Sequence, residues 1–230
     1  MILSVHVADV RAHAVLAVLR GSPKPGAVAG LRYAETAIAA PLSGSVLPAP
    51  ALGRVGLIAA WDDDRAVDGF LTSHALARRL SGGWHVRLEP LRASGSWSAL
   101  PDLIERELPI DDYAPVAVLT LGRLKFGRAT PFLRTSAAAE SQALADPALL
   151  ASTALARPPR LVATFSLWHT AAAMRAYAYG HSGAAHLAAI QAQRDRPFHH
   201  ESLFARFRPY AAQGAWDGRD PLAVAAGPHF

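Results

Sequence analysis

The feature that most constrains this chain is an internal repeat. Arg87-Leu88-Glu89-Pro90-Leu91-Arg92-Ala93-Ser94-Gly95-Ser96-Trp97 lies over Arg206-Phe207-Arg208-Pro209-Tyr210-Ala211-Ala212-Gln213-Gly214-Ala215-Trp216, with Arg, Pro, Gly and Trp in register. Upstream, Val55 to Trp61 pairs with Leu161 to Trp168. In both copies an aromatic residue and then a histidine follow at the same spacing, Phe70 and His74 against Tyr177 and His181. Ala34 to Pro41 is set over Ala151 to Pro158, and Leu3 to Arg20 over Ala117 to Arg134. Blocks that recur in one order describe a unit used twice, so the fold is expected to be two like units joined in one chain.

Each unit reads as strand, helix, strand, strand, helix, strand. Short runs rich in β-formers and bounded by Gly and Pro alternate with Ala/Leu-rich segments of helical period. That order is the split βαβ of ferredoxin-like folds. Strands are expected near 2–9, 32–40, 54–61 and 84–93, then 114–123, 150–156, 160–168 and 202–211. The expected class is α+β: two tandem ferredoxin-like half-domains whose sheets pack together into an internal version of the dimeric α/β barrel. The halves are set at 1–100 and 113–217, with a C-terminal tail over 218–230.

Composition narrows the chemistry. With no cysteine in 230 residues, disulfides, zinc–thiolate sites, iron–sulfur clusters and thiolate-ligated haem are excluded, so any metal would be held by nitrogen or oxygen. The net charge of +5 comes from scattered arginines and not from a basic run with interleaved aromatics, which argues against nucleic acid as a partner. No long apolar run and no leader-like N-terminus is present, so a cytoplasmic protein is expected. Gly-rich phosphate loops and a nucleophile elbow are also absent.

The two copies differ in one place. Trp168 follows Trp61 by 107 positions but Arg206 follows Arg87 by 119, so the second copy carries about twelve extra residues before its last strand. They include Ala184-Ala185-His186-Leu187-Ala188-Ala189-Ile190-Gln191-Ala192-Gln193-Arg194, in a stretch of good helix formers that Gly180 and Gly183 interrupt. The small neighbours of His186 leave room for a flat macrocycle, and neutral imidazole is a common axial ligand of haem iron. On residue chemistry alone, a histidine at a helix surface is the competing reading.

Ala163-Thr164-Phe165-Ser166-Leu167-Trp168, then Ala173-Met174, His186-Leu187-Ala188-Ala189-Ile190, Phe198 and Glu201-Ser202-Leu203-Phe204-Ala205-Arg206-Phe207-Arg208 resemble the signature of the spheroidene monooxygenase family: ATFSxW, a helix with Ala-Met, HxxAI and an ELYARF-like final strand. Val116 to Thr120 and Gly95 to Ser98 resemble its central blocks. The likeness covers most of the chain and is strongest over 160–217. It departs at Pro197-Phe198-His199-His200, where the family carries an aromatic-acidic run, and over the N-terminal third. It implies a haem-dependent oxygenase that places oxygen at the end of an acyclic carotenoid, with haem b as cofactor and His186 as the metal ligand.

Around such a haem, Arg194 and Arg206 are the expected partners of the propionates, because guanidinium binds carboxylate bidentately. His169, at a strand end, is the candidate for the distal, catalytic side of a pocket between the two half-sheets. Oxygen or peroxide would be the oxidant and a ferredoxin-type protein the electron donor. Peripheral contact with a membrane and the oligomeric state stay open. Other readings are a haem enzyme of this fold acting on a nitrogenous substrate, a haem-binding protein without turnover, and a haem-free barrel that binds a partner. His199 and His200 are adjacent on an extended segment and point to opposite sides, which disfavours a shared metal. His74 and His181 read as structural twins, and Trp61-Asp62-Asp63-Asp64 as a helix start.

Overall fold

The computed structural model describes residues 1–43, 53–104, 107–125, 137, 140–179 and 199–226. Eight strands carry the fold: β1 (Ile2–Asp9), β2 (Leu31–Ala40), β3 (Arg54–Trp61), β4 (Trp84–Ser96), β5 (Val116–Leu124), β6 (Leu149–Arg157), β7 (Leu161–Trp168) and β8 (His199–Gly214). The helices are α1 (Val15–Arg20), α2 (Asp64–Ser73), α3 (Ala75–Leu80), α4 (Pro101–Ile104), α5 (Ala171–Tyr179) and α6 (Pro221–Ala226). Among the described residues no helix is long and apolar enough to cross a membrane.

The strands run in the order β4-β1-β3-β2 in the first half and β8-β5-β7-β6 in the second, all antiparallel. These are the two ferredoxin-like sheets the repeat predicts. They join as the expected internal α/β barrel: β4 pairs with β8 and β2 with β6, and the eight strands close on one another. The physical reason is that each four-stranded sheet has two edges with unpaired backbone groups, and joining edge to edge satisfies both at once.

Register shows how faithful the duplication is. Leu3 faces Ala60 and Leu88, and its counterpart Ala117 faces Leu167 and Phe207. One block of the sequence alignment is corrected. Tyr33 pairs with Ala60 as Ala151 pairs with Leu167, so Ala34 is equivalent to Ser152 and not to Ala151. Each copy also carries a bulge at the same place, between Leu31 and Tyr33 and between Leu149 and Ala151, so the irregularity is itself duplicated. Since side chains alternate, one residue of slip exchanges the faces of the strand.

The repeated Arg–Pro–Gly–Trp motif has a structural meaning. Pro90 and Pro209 each precede a residue, Leu91 or Tyr210, that the β4–β8 ladder skips, as expected of residues without an N–H to donate. Gly95 and Gly214 adopt positive φ of 104° and 91°, and a Cβ there would lie 2.1 Å and 2.0 Å from the carbonyl oxygens of Ser202 and Gly83 on the facing backbone. Trp97 and Trp216 are both buried in the barrel core, Trp97 against Tyr33 and Trp216 against Trp84 and Phe165.

Three apolar layers result. Leu3, Val5, Ile58, Leu88, Leu119, Phe165, Phe207 and their neighbours fill the barrel. Outside it, Leu57, Trp61, Val67, Phe70 and Leu76 pack α2 and α3 onto the first half, and Val116, Trp168, Ala171, Met174 and Ala178 pack α5 onto the second. Helix α2 starts where Asp63 accepts a hydrogen bond from the Ala66 amide at 3.0 Å, the capping expected of Trp61-Asp62-Asp63-Asp64. Thr170 caps α5 in the same way, accepting from the Ala173 amide at 3.1 Å. His74 closes α2 and opens α3, its Nδ1 accepting from the Leu76 amide; its sequence twin His181 lies outside the described residues.

His6, on the outer face of β1, is fully enclosed between Ser4, His85 and Phe70. Burial first, then the neighbouring His85 and Arg87, pushes its pKa down to about 3. Below about pH 6.5 the unfolded chain takes up a proton here that the folded chain refuses, so stability falls as pH drops from that value toward 3, by up to about 1.4 kcal/mol per pH unit. Urea unfolding between pH 7 and 4 should show this slope, and His6→Leu should flatten it.

Candidate functional site

Strand β8 alternates between the barrel and the outer layer: Leu203, Ala205 and Phe207 point in, which leaves Phe204 and Arg206 on the outer face. There Arg206 sits opposite Arg92 of β4 and Val118 of β5. It is a charged residue only 8% exposed. Its guanidinium donates to the Tyr179 hydroxyl at 2.8 Å and lies 5.4 Å from the Phe204 ring centroid and 5.8 Å from that of Tyr179. The Arg206 Nε is buried with no hydrogen-bond partner, and among the described residues Arg206 forms no ion pair.

A cavity of about 390 Å3 opens at this point, lined by Arg92, Ala93, Ser94, Arg175, Tyr179, Phe204 and Arg206. Its volume falls in the range of small-molecule sites. Two of the three arginines are held by acids of the connection between the halves, Arg92 by Glu107 at 3.2 Å and Arg175 by Asp112. Arg206 is the one left with a buried donor unused.

The other sequence candidates fall elsewhere. His186 and Arg194 lie outside the described residues, in the stretch that follows Tyr179 directly. His169 is exposed at the end of β7, its amide donating to the Ala148 carbonyl at 2.8 Å, at the opposite end of α5 from Tyr179 and not among the residues lining the cavity. The expected pocket between the half-sheets is occupied by core side chains, among them Trp84, Phe165 and Trp216, and the cavity stands outside the barrel. His199 packs across Gly122, where a Cβ would come within 2.5 Å of its ring, and burial, then Lys125, pushes its pKa down to about 4; His200 is exposed. Among the described residues no three His, Asp or Glu side chains gather to hold a metal.

Sequence reasoning missed Arg175 and Tyr179, whose one signal is position: they share a helix that the repeat aligns with α2. It also missed a polar group inside the barrel. Arg123 binds Glu201 at 3.0 Å and lies 5.0 Å from the Trp97 ring centroid, and Arg157 pairs with Glu35 at 2.7 Å. Burial raises the Glu35 pKa, against the opposing pull of Arg157 and Arg123. Tyr33 Oη and Trp97 Nε1 are buried there without geometrically sound hydrogen bonds.

Fold and site together define a duplicated ferredoxin-like barrel with a cationic, partly apolar cavity beside its final strand. By sequence, the chain belongs to the spheroidene monooxygenase family. It is 32% identical to the spheroidene monooxygenase of Rubrivivax gelatinosus over 175 residues, 74% of this chain and 66% of that protein. The corresponding figures are 33% for that of Rhodobacter capsulatus, over 60% of this chain and 57% of that protein, and 28% for that of Cereibacter sphaeroides, over 74% and 53%. The matches thus span between about half and two thirds of these relatives' own length. No family model matches the chain.

Solved structures resemble it loosely. A provisionally assigned monooxygenase of Fusobacterium nucleatum subsp. nucleatum aligns over 93% of this chain and 94% of that one, with a TM-score of 0.41 and 10% identity. A heme-degrading enzyme of Listeria monocytogenes aligns over 88% and 98%, with a TM-score of 0.30 and 12% identity. The strand pairing itself establishes the fold.

The twin arginines should respond oppositely to mutation. Arg87→Gln removes the partner of Asp64 and Asp68 and should cost roughly 1 kcal/mol or less, since both acids are exposed. Arg206→Gln removes a buried, uncompensated charge and should be neutral or stabilising. Denaturation midpoints of the two variants measure the contrast.

Proposed function

We propose that the protein is a haem-dependent monooxygenase acting on an apolar small molecule of the kind its relatives are named for, with haem b held by His186. The observation that carries this reading is Arg206, a buried guanidinium with an unused donor in a cavity whose edge, Tyr179, leads directly into the stretch containing His186. Family membership supports the same reaction class.

The described residues fit the cofactor on two counts. A propionate would supply the charge and the acceptor that Arg206 lacks, and Phe204 and the ring of Tyr179 offer apolar wall beside it. His186 would hold the iron, with Arg194 as a second propionate partner. When bound, the haem would supply oxidising chemistry with dioxygen or peroxide.

This chain's own residues then have binding and orienting work. Arg206 anchors an anionic arm, and the Tyr179 hydroxyl fixes the guanidinium that does so. Phe204 keeps that guanidinium on a desolvated face, where an ionic hydrogen bond is stronger than in water. His169 is assigned no step, given its place at the other end of α5. Electrons would come from a separate ferredoxin-type donor, to which the basic chain is electrostatically suited.

Adding haemin to the purified protein should give a Soret band that shifts when the reduced protein meets carbon monoxide, and His186→Ala should abolish or alter it. Absence of a Soret band in the native chain would sink the haem reading. A spectrum unchanged in His186→Ala would move the ligand to another histidine.

A further inference from the structure

The two halves place an arginine at the same point of the same motif and treat its charge in opposite ways. Arg87 donates to Asp64 Oδ1 at 2.7 Å and to Asp68 Oδ1 at 2.5 Å, both on α2, and Tyr210 donates to Asp64 at 2.9 Å. In the second half the residues at the positions of Asp64 and Asp68 are Ala171 and Arg175. Geometry supports that alignment at the matching helix caps of Asp63 and Thr170, and at the matching ring pairs Trp61–Phe70 and Trp168–Tyr177, 5.1 Å and 5.0 Å apart. Where Arg87 meets two carboxylates, its twin faces a helix bearing a methyl group and a second guanidinium.

The surroundings add to the imbalance. Arg92 stands across the β4–β8 ladder from Arg206, and its pair with Glu107, like that of Arg175 with Asp112, is largely exposed and so only weakly held. Burying a guanidinium with an unused donor is costly unless an oxyanion meets it. Phe204 and the ring of Tyr179 make the adjoining wall apolar.

We propose that this cavity is a carboxylate-binding site, formed where the second copy lacks the acids its twin keeps. Arg206 is the anchor, Tyr179 orients it and Arg175 supplies a second cation. The ligand is the carboxylate arm of an amphiphilic molecule. Its identification as a porphyrin propionate rests on the haem reading; the site itself rests on the twin comparison.

Metal-free protoporphyrin IX tests the site without iron and so without His186. Its fluorescence anisotropy on titration with the full chain should report binding, and its dimethyl ester should bind roughly tenfold to a hundredfold more weakly, the loss expected for a charge-assisted hydrogen bond. Arg206→Gln should abolish that preference. Arg175→Asp places a carboxylate where Asp68 meets Arg87, and should abolish it too while keeping the thermal midpoint at or above that of the native chain. His186→Ala should leave the preference intact.

Equal affinity for acid and ester, a preference that survives both arginine substitutions, or no porphyrin binding at all would overturn the site. The two claims fail separately. A preference lost in Arg206→Gln alongside a haemin spectrum indifferent to His186→Ala leaves the carboxylate site standing and removes the axial ligand; the reverse pair of results does the opposite.

Discussion

Pairing between β4 and β8 is the constraint on which the rest of this structure depends. It runs from Trp84 opposite Gly214 to Ser96 opposite Ser202 and makes one barrel of two sheets that would otherwise each expose an edge. It also fixes where the glycines must be, since a side chain at Gly95 or Gly214 would strike the opposing backbone. The bulges at Leu91 and Tyr210 accommodate the two prolines within the ladder, and the tryptophan that ends each motif is delivered into the core. The motif conspicuous in the sequence is therefore the seam of the barrel, written once for each strand.

The same seam brings charge together. Arg206 lies on the outer face of β8 and Arg92 stands opposite it on β4, so two arginines line one cavity. In the first half Arg87 stands opposite Ala211 and is neutralised by Asp64 and Asp68. The second half keeps the arginine, presents Arg175 from the helix, and leaves a cavity beside it. Symmetry of the fold makes the departure legible: identical backbone positions carry a closed ion-pair network on one side and an open cationic cavity on the other. A chain that duplicates a stable unit can retain one copy for structure and let the other bind, since the barrel requires only that both sheets pair.

Most of the architecture was legible in the sequence, because alternation within strands and recurrence between halves point to the same elements. Strands β1 and β3 fall on the expected residues. The longer β4 and β8 overrun them: the end of β4 pairs along β8, the C-terminal end of β8 pairs along β4, and the N-terminal end of β8 continues along β5. What the sequence concealed depends on geometry that spacing does not encode. One Ala-rich block aligns by sequence a residue out of register, because its small residues look alike in either register and only the pairing with β3 and β7 fixes it; which edges join to close the barrel is likewise not encoded in spacing. At the site, Arg206 was identifiable from chemistry, but its distinction from Arg87 lay in residues 31 and 35 positions upstream, Arg175 and Ala171. His186, the centre of the sequence reading, falls outside the described residues.

The most direct test of the central claim, that the second half carries an arginine kept free for a ligand's carboxylate, is a crystal structure of the full chain with haemin. A propionate oxygen within hydrogen-bonding distance of Arg206 Nε, with Arg87 still held by Asp64 and Asp68, is the predicted result. An Arg206 neutralised by an acid of its own chain, with the propionates bound elsewhere, would contradict it.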